Sequence, residues 1–266
     1  MIGGNTKLSS LSQKRGTLNL GIDTKLKNPF NFVNFKDDAQ IDVDILNKKF
    51  EDLIELCKKL DVSVLSFDFD NTMTQIHTAK SIFEGGLELS CHSVEKNYGN
   101  NDGQRVAFSK NAEIFWQILV DKLQKNNLKT IILSKQDTPT IEFILKFHNI
   151  PIDDVFGVDK LRKQSVEISD TDLRKYKTLD KILKNVKENN NKIIHFDDDA
   201  QEVDAINEQK NPKILALKIE PAKFIDEFLS FNFFQDIEEK ILKHEMLEVK
   251  LNLNSKLSFE EQKLNS

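Results

Sequence analysis

Two acids set the chemical question. Asp68 and Asp70 stand two apart at the end of a short apolar run, Val64-Leu65-Ser66-Phe67. In an extended chain, residues i and i+2 point the same way. Two carboxylates on one side, with no basic residue next to them in sequence, repel and need a cation or a shared proton. A hard divalent ion such as Mg²⁺ meets that need through carboxylates, backbone carbonyls and waters. An Asp-x-Asp turn in solvent has the same spacing, so the pair alone does not define a site.

A second acidic cluster strengthens the case. Asp197-Asp198-Asp199 follows another apolar run, Ile193-Ile194-His195-Phe196. Acids at a helix start complement its dipole, which accounts for Asp199 and, on the same ground, Glu202. It accounts less well for two strands that both finish in paired acids. If those strands are neighbours, their carboxylates converge on one ion. Ser134, after Thr130-Ile131-Ile132-Leu133, offers a hydroxyl suited to a phosphoryl oxygen, or a helix cap. Lys177 is selected among many lysines because it stands just before a helix leading into the second acidic strand. Lys175 and Lys181 are near enough to replace it.

These residues are positioned by strands alternating with helices. Helical spacing is expected from Asp44 to Leu60, with Cys57 on the apolar face, over 112–125, from Pro139 to Phe147, and over 178–188. Strands are expected at 64–67, 130–133, 155–158, 192–196 and 214–217, and a long helical region from Pro221 to about 246. Such alternation predicts an α/β fold: a Rossmann-like parallel sheet with helices on both faces and extra helical segments at both ends. Sites in such sheets lie at the carboxyl ends of strands, near a topological switch point.

In this order, the residues resemble the haloacid dehalogenase-like (HAD) superfamily. Phe67-Asp68-Phe69-Asp70-Asn71-Thr72-Met73-Thr74 is similar to its first motif, Leu133-Ser134 to the second, Lys177 to the third and Phe196-Asp197-Asp198 to the fourth. The resemblance covers roughly residues 62–220 and lies nearest the magnesium-dependent phosphatases. It implies a Mg²⁺-dependent phosphohydrolase working through an aspartyl-phosphate. Asp68 would be the nucleophile and Asp70 the acid and base. Ser134 and Lys177 would bind the phosphoryl oxygens. Asp68, Asp70 through its carbonyl, Asp198 and Asp197 would hold the metal. Asn71 departs from the glycine frequent there. A phosphotransferase using the same intermediate, or a catalytically weak binding protein on this fold, are the alternatives. A receiver domain is disfavoured by the order of its acids.

Residues 1–40 are read as a loose amino-terminal segment, 41–246 as the HAD-like domain, and 247–266 as a polar tail. A small cap or flap is expected at 75–110, holding His77, Cys91, His92 and Tyr98. It leaves room for a phosphorylated small molecule or a phosphoprotein. The 266 residues carry a net charge of −5, with 39% hydrophobic and 30% charged residues. Basic residues are dispersed, which argues against nucleic acid, and no apolar run suits a membrane span or a signal peptide. A cytoplasmic enzyme is expected. The alternative is a secreted effector acting in a host cell, on the acidic stretch Phe259-Glu260-Glu261-Gln262-Lys263. The terminal helices, and Phe231-Asn232-Phe233-Phe234, are further candidates for docking a partner, with core packing the competing use. The 19 Phe residues are attributed to codon bias.

Overall fold

The computed structural model describes residues 21–22, 33–34, 43–74, 107–164, 171–186, 191–230, 232–244 and 246. Nearly all of the expected flap, the carboxyl-terminal tail and most of the amino-terminal segment, with His77, Cys91, His92 and Tyr98, lie outside them. Within the amino-terminal segment, β1 (Gly21–Ile22) and β2 (Val33–Asn34) form a short antiparallel pair. Then follow α1 (Val43–Lys59), β3 (Val62–Phe67), α2 (Lys110–Lys125), β4 (Lys129–Leu133), α3 (Thr138–Phe147), β5 (Asp154–Phe156), α4 (Val158–Gln164), α5 (Thr171–Asn185), β6 (Lys192–Asp197), α6 (Ala200–Asn207), β7 (Ile214–Lys218) and α7 (Phe224–Leu229). A last helix, α8, spans 233–244.

The main sheet is parallel, in the order β5-β4-β3-β6-β7. Chain order runs outward from β3 to β5, then returns to the other side of β3. The switch point therefore lies between β3 and β6, the two strands that end in acids. Phe67 pairs with Phe196 in register, so the acids that follow emerge side by side.

Alternation along the strands separates two apolar layers. Leu65, Phe67, Ile132, Ile194 and Phe196 pack with α1, α2, α3, α7 and α8. Val64, Ile131, Leu133, Ile193 and Ala216 pack with Leu161 of α4, Leu179 of α5, and Val203 and Ile206 of α6. The first layer is largely aromatic. Phe67 stacks on Phe196 at 5.4 Å and meets Trp116 edge-on at 5.1 Å, while Phe224 stacks on Trp116 at 5.1 Å. Such pairs add about 0.5–1.5 kcal/mol each beyond burial. The phenylalanine excess thus has a structural use as core.

The apolar face of α1 (Leu46, Phe50, Leu53, Cys57) is spent on this core. Phe233 is buried there too, and Phe234 packs beside it. Cys57 is buried, and burial pushes its thiol up to about 12, which suits a core residue and not a reactive one. The helical region expected from Pro221 is broken after α7, where Ser230 turns to an extended conformation (φ −62°, ψ 157°). α5 begins seven residues earlier than the sequence suggests, at Thr171, and α4 is an unexpected helix.

Candidate active site

Strand parity places the first group of side chains. Val64, Ser66 and Asp68 alternate onto the face covered by α5, and so do Ile193, His195 and Asp197 of the paired strand. Ser66 and His195 are directly opposite in register. Asp68 and Asp197 therefore converge above them, beneath α5.

The residue that descends from α5 is Lys175, not Lys177. Lys175, Thr178 and Leu179 form an i, i+3, i+4 stripe that is buried against the sheet. Lys177 lies off that stripe. It is exposed, with its ammonium 5.7 Å from the centre of the Tyr176 ring. Lys175 is 0% exposed. Its ammonium stands 2.9 Å from Asp68 Oδ1 and 2.8 Å from Asp197 Oδ2, and forms an ion pair with Glu202 Oε2. A helix read from residue 171 would have put Lys175 in phase with Leu179. The start at 178 hid it.

Glu202, set aside as a dipole partner, is buried on α6 and is the third acid of this group. Asp68, Asp197 and Glu202 each bring an oxygen within 4.8 Å of the others, a spacing able to hold a metal ion. Here the Lys175 ammonium is the cation among them. Asp197 is fully engaged: Oδ2 also accepts from His195 Nε2 (3.1 Å), and Oδ1 accepts from the Asp199 N–H (2.9 Å). A carboxylate only accepts, so His195 carries its proton on Nε2. With the ring kept neutral by burial, Nδ1 then accepts from Ser66 Oγ, 2.8 Å away. Asp199 caps α6 by accepting from the Gln201 N–H at 2.9 Å, as its position in the sequence implies.

Three acids share one ammonium, and the imbalance shows in their titration. Burial pushes the Asp68 carboxyl well up, Lys175 opposes it, and Asp197 and Glu202 add to it. Burial also lifts Glu202, to about 7 against the pull of Lys175. Asp197 resists burial and is held below the usual range by Lys175 and His195. The same three acids keep the Lys175 ammonium charged although burial works against it.

Above this layer lies a cleft of about 230 Å³. It is lined by Asp68, Asp70, Asn71, Ser134, Lys135, Gln136, Asp197, Asp198, Asp199 and Glu202. β3 ends at Phe67, so Asp70 reaches the cleft from a tight turn and not from the strand. In that turn Asn71 has φ 59° and ψ −5°, a left-handed conformation that asparagine tolerates and glycine prefers. Thr74 closes the turn with its N–H on Phe69 O (3.0 Å), and the indole N–H of Trp116 donates to Met73 O (3.0 Å). Asp198 is half-buried, accepts from Thr72 Oγ1 at 3.3 Å, and is pushed up by burial and by Asp197. Ser134 is buried in the cleft wall and accepts from the Gln136 N–H at 3.3 Å. Its loop rests on Gly157: a Cβ there would fall against the backbone of Thr138 and Gln136. Of the residues selected from sequence, Asp68, Asp70, Ser134, Asp197 and Asp198 are together in the cleft and Lys177 is not.

The fold is a Rossmann-type α/β arrangement, a five-stranded parallel sheet with helices on both faces and its acidic cluster at the switch point. No protein-family model matches the sequence, and no curated protein does. Solved structures are similar at a distance. The HAD domain of the effector protein Lem4 from Legionella pneumophila is similar over 72% of this chain and 98% of that one, at 16% identity and a TM-score of 0.40. For the effector Ceg4 of the same organism the coverage is 67% and 94%, at 14% identity and a TM-score of 0.43. For the cobalt-bound deoxy-D-mannose-octulosonate 8-phosphate phosphatase of Haemophilus influenzae it is 71% and 91%, at 13% and 0.30. Among the described residues, no helix is long and apolar enough to cross a membrane.

Proposed function

We propose that this chain is a Mg²⁺-dependent phosphohydrolase that cleaves a phosphomonoester through an aspartyl-phosphate on Asp68. The observation that carries the reading is the Asp68–Lys175 pair, 2.9 Å apart, at the switch point of the sheet. A carboxylate nucleophile must approach a phosphorus already surrounded by negative oxygens. Lys175 offsets charge on the nucleophile from the α5 side, and Asp197 and Glu202 fix that ammonium in place.

The donor set fits a hard cation. The oxygen ligands are in excess over the positive charge, and Asp68, Glu202 and Asp198, raised first by burial, are raised further by the neighbouring carboxylates. Asp68 and Asp198, with the Asp70 carbonyl, would hold Mg²⁺ on the cleft side, and Asp197 through water. When bound, the ion would offset negative charge on the phosphoryl oxygens and on Asp68.

In the first step an Asp68 oxygen forms a bond to phosphorus as the ester P–O bond breaks. Asp70 gives its proton to the departing oxygen. In the second, Asp70 takes a proton from water, whose oxygen attacks phosphorus. The P–O bond to Asp68 breaks and inorganic phosphate leaves. Ser134 donates its hydroxyl to a phosphoryl oxygen. A phosphorylated small molecule or a phosphoprotein is the substrate class that this cleft would serve.

The test is hydrolysis of a generic aryl phosphate by the full chain. Turnover is expected with Mg²⁺, lost on chelation and lost in Asp68→Asn. Absence of turnover across aryl phosphates, phosphorylated metabolites and phosphopeptides would overturn the reading.

A further inference from the structure

We propose that Asp159 is a positioning residue for Ser134: it fixes the loop that presents the Ser134 hydroxyl to the phosphoryl group. The inference rests on the phosphohydrolase reading and adds to it a residue that does not line the cleft.

Ser134 stands where β4 gives way to the turn into α3. A hydroxyl meets a phosphoryl oxygen well only when the backbone that carries it is held. Here the turn that follows β5 does the holding. Residues 134–138 run beside residues 156–159, and four hydrogen bonds join the two stretches. The Ser134 N–H donates to Phe156 O at 3.0 Å, and the Val158 N–H to Gln136 O at 2.9 Å. The Gly157 N–H donates to Thr138 Oγ1 at 2.9 Å, and the Thr138 N–H to Asp159 Oδ1 at 2.8 Å.

The last of these bonds depends on a side chain that sequence could change. Thr138 opens α3, so its N–H has no partner within the helix. Asp137, the cap, accepts from the Thr140 N–H at 3.0 Å and leaves the Thr138 N–H to Asp159, in the first turn of α4. Thr138 is buried, so this donor would otherwise go unpaired away from water. Burial pushes the Asp159 carboxyl up, but hydrogen bonds from Thr138 and from the backbone at Asp159 and Lys160 outweigh it and hold the acid below its usual range, in its charged form. Gly157 lets the two turns meet, because a Cβ there would strike the backbone of Gln136, Asp137 and Thr138. Without the Asp159 anchor, residues 135–138 gain freedom. Ser134 Oγ, which accepts from the Gln136 N–H at 3.3 Å, then loses its fixed direction.

The test is a double-mutant cycle on the full chain, read by calorimetric binding of inorganic phosphate in Mg²⁺ and by aryl phosphate turnover. Asp159→Ala is expected to weaken phosphate binding and raise KM by about tenfold, within what a misplacement of up to about 1 Å costs. Asp159→Asn keeps an acceptor for the Thr138 N–H and should restore most of both. In a Ser134→Ala background, Asp159→Ala should add little, because the hydroxyl it acts through is already gone. Gly157→Ala displaces the same loop while leaving Asp159 in place, and gives a second cycle with the same expected pattern. Thermal melts establish that the variants are folded at the assay temperature. If Asp159→Ala binds phosphate as wild type does, or keeps its full effect in Ser134→Ala, while wild type turns over, the inference fails and the phosphohydrolase reading stands. If wild type neither binds phosphate nor turns over, both fail.

Discussion

Lys175 Nζ lies 2.9 Å from Asp68 Oδ1 although 107 residues of chain separate the two. Each alone would be costly to bury as an ion. Together with Asp197 and Glu202 they form one buried cluster that joins β3, α5, β6 and α6. The site and the stability of the fold are therefore linked, and substitutions here are expected to move both.

Lys175→Met leaves three buried carboxylates without their ammonium. A loss of about 3–5 kcal/mol is expected, as for breaking a buried pair from one side. Trp116 is the sole tryptophan of the chain and is buried in the core, so its fluorescence reports denaturant unfolding. Lys175→Met combined with Glu202→Gln should recover part of the loss. No recovery would show that the acids do not share the lysine's charge.

Glu202 gives a pH dependence with a definite sign. Its folded-state pKa is raised to about 7 from an ordinary 4.5, so the folded protein holds a proton that the unfolded chain releases. That contribution is full below pH 4.5 and is lost as pH rises through about 7. Asp68, also raised, acts in the same direction. His195 and Asp197, both lowered, act in the other, so the readout is a difference. Without metal, the stability of wild type relative to Glu202→Gln should fall between pH 5 and pH 8. A constant difference would contradict the burial of this acid.

Mg²⁺ should stabilise the fold by binding it and not the unfolded chain. At a hundred times its Kd the gain is about 2.7 kcal/mol, read as a rise in Tm. The rise should vanish in Asp198→Asn. An equal rise in that variant would place the ion elsewhere.

His195→Leu removes the N–H that Asp197 Oδ2 accepts and the acceptor of Ser66 Oγ. Leaving such buried groups unpaired costs about 1–3 kcal/mol. Turnover should also fall, because Asp197 loses one of the groups that orient it beneath Lys175. His195→Asn, able to donate to Asp197, should lose less. Equal stability in all three proteins would show the hydrogen-bond chain to be inconsequential.

The sheet was legible because its strands are short apolar runs between helical periods, and the two acidic strand ends marked its switch point. Asp68, Asp70, Ser134, Asp197 and Asp198 were legible for the same reason. Lys175 was not, since choosing among lysines on a helix depends on where the helix starts, and α5 starts at Thr171. Glu202 was obscured because acids in a first helical turn are ordinary; only its burial against Lys175 distinguishes it.

Transfer of the phosphoryl group to Asp68 is tested most directly by acid-quenching the full chain within a single turnover of a phosphorus-labelled aryl phosphate in Mg²⁺, then mapping the label by peptide mass spectrometry. Label on Asp68, labile to hydroxylamine and absent from Asp68→Asn, is the predicted result. Turnover that proceeds with no label on Asp68, and that persists in Asp68→Asn, would contradict it.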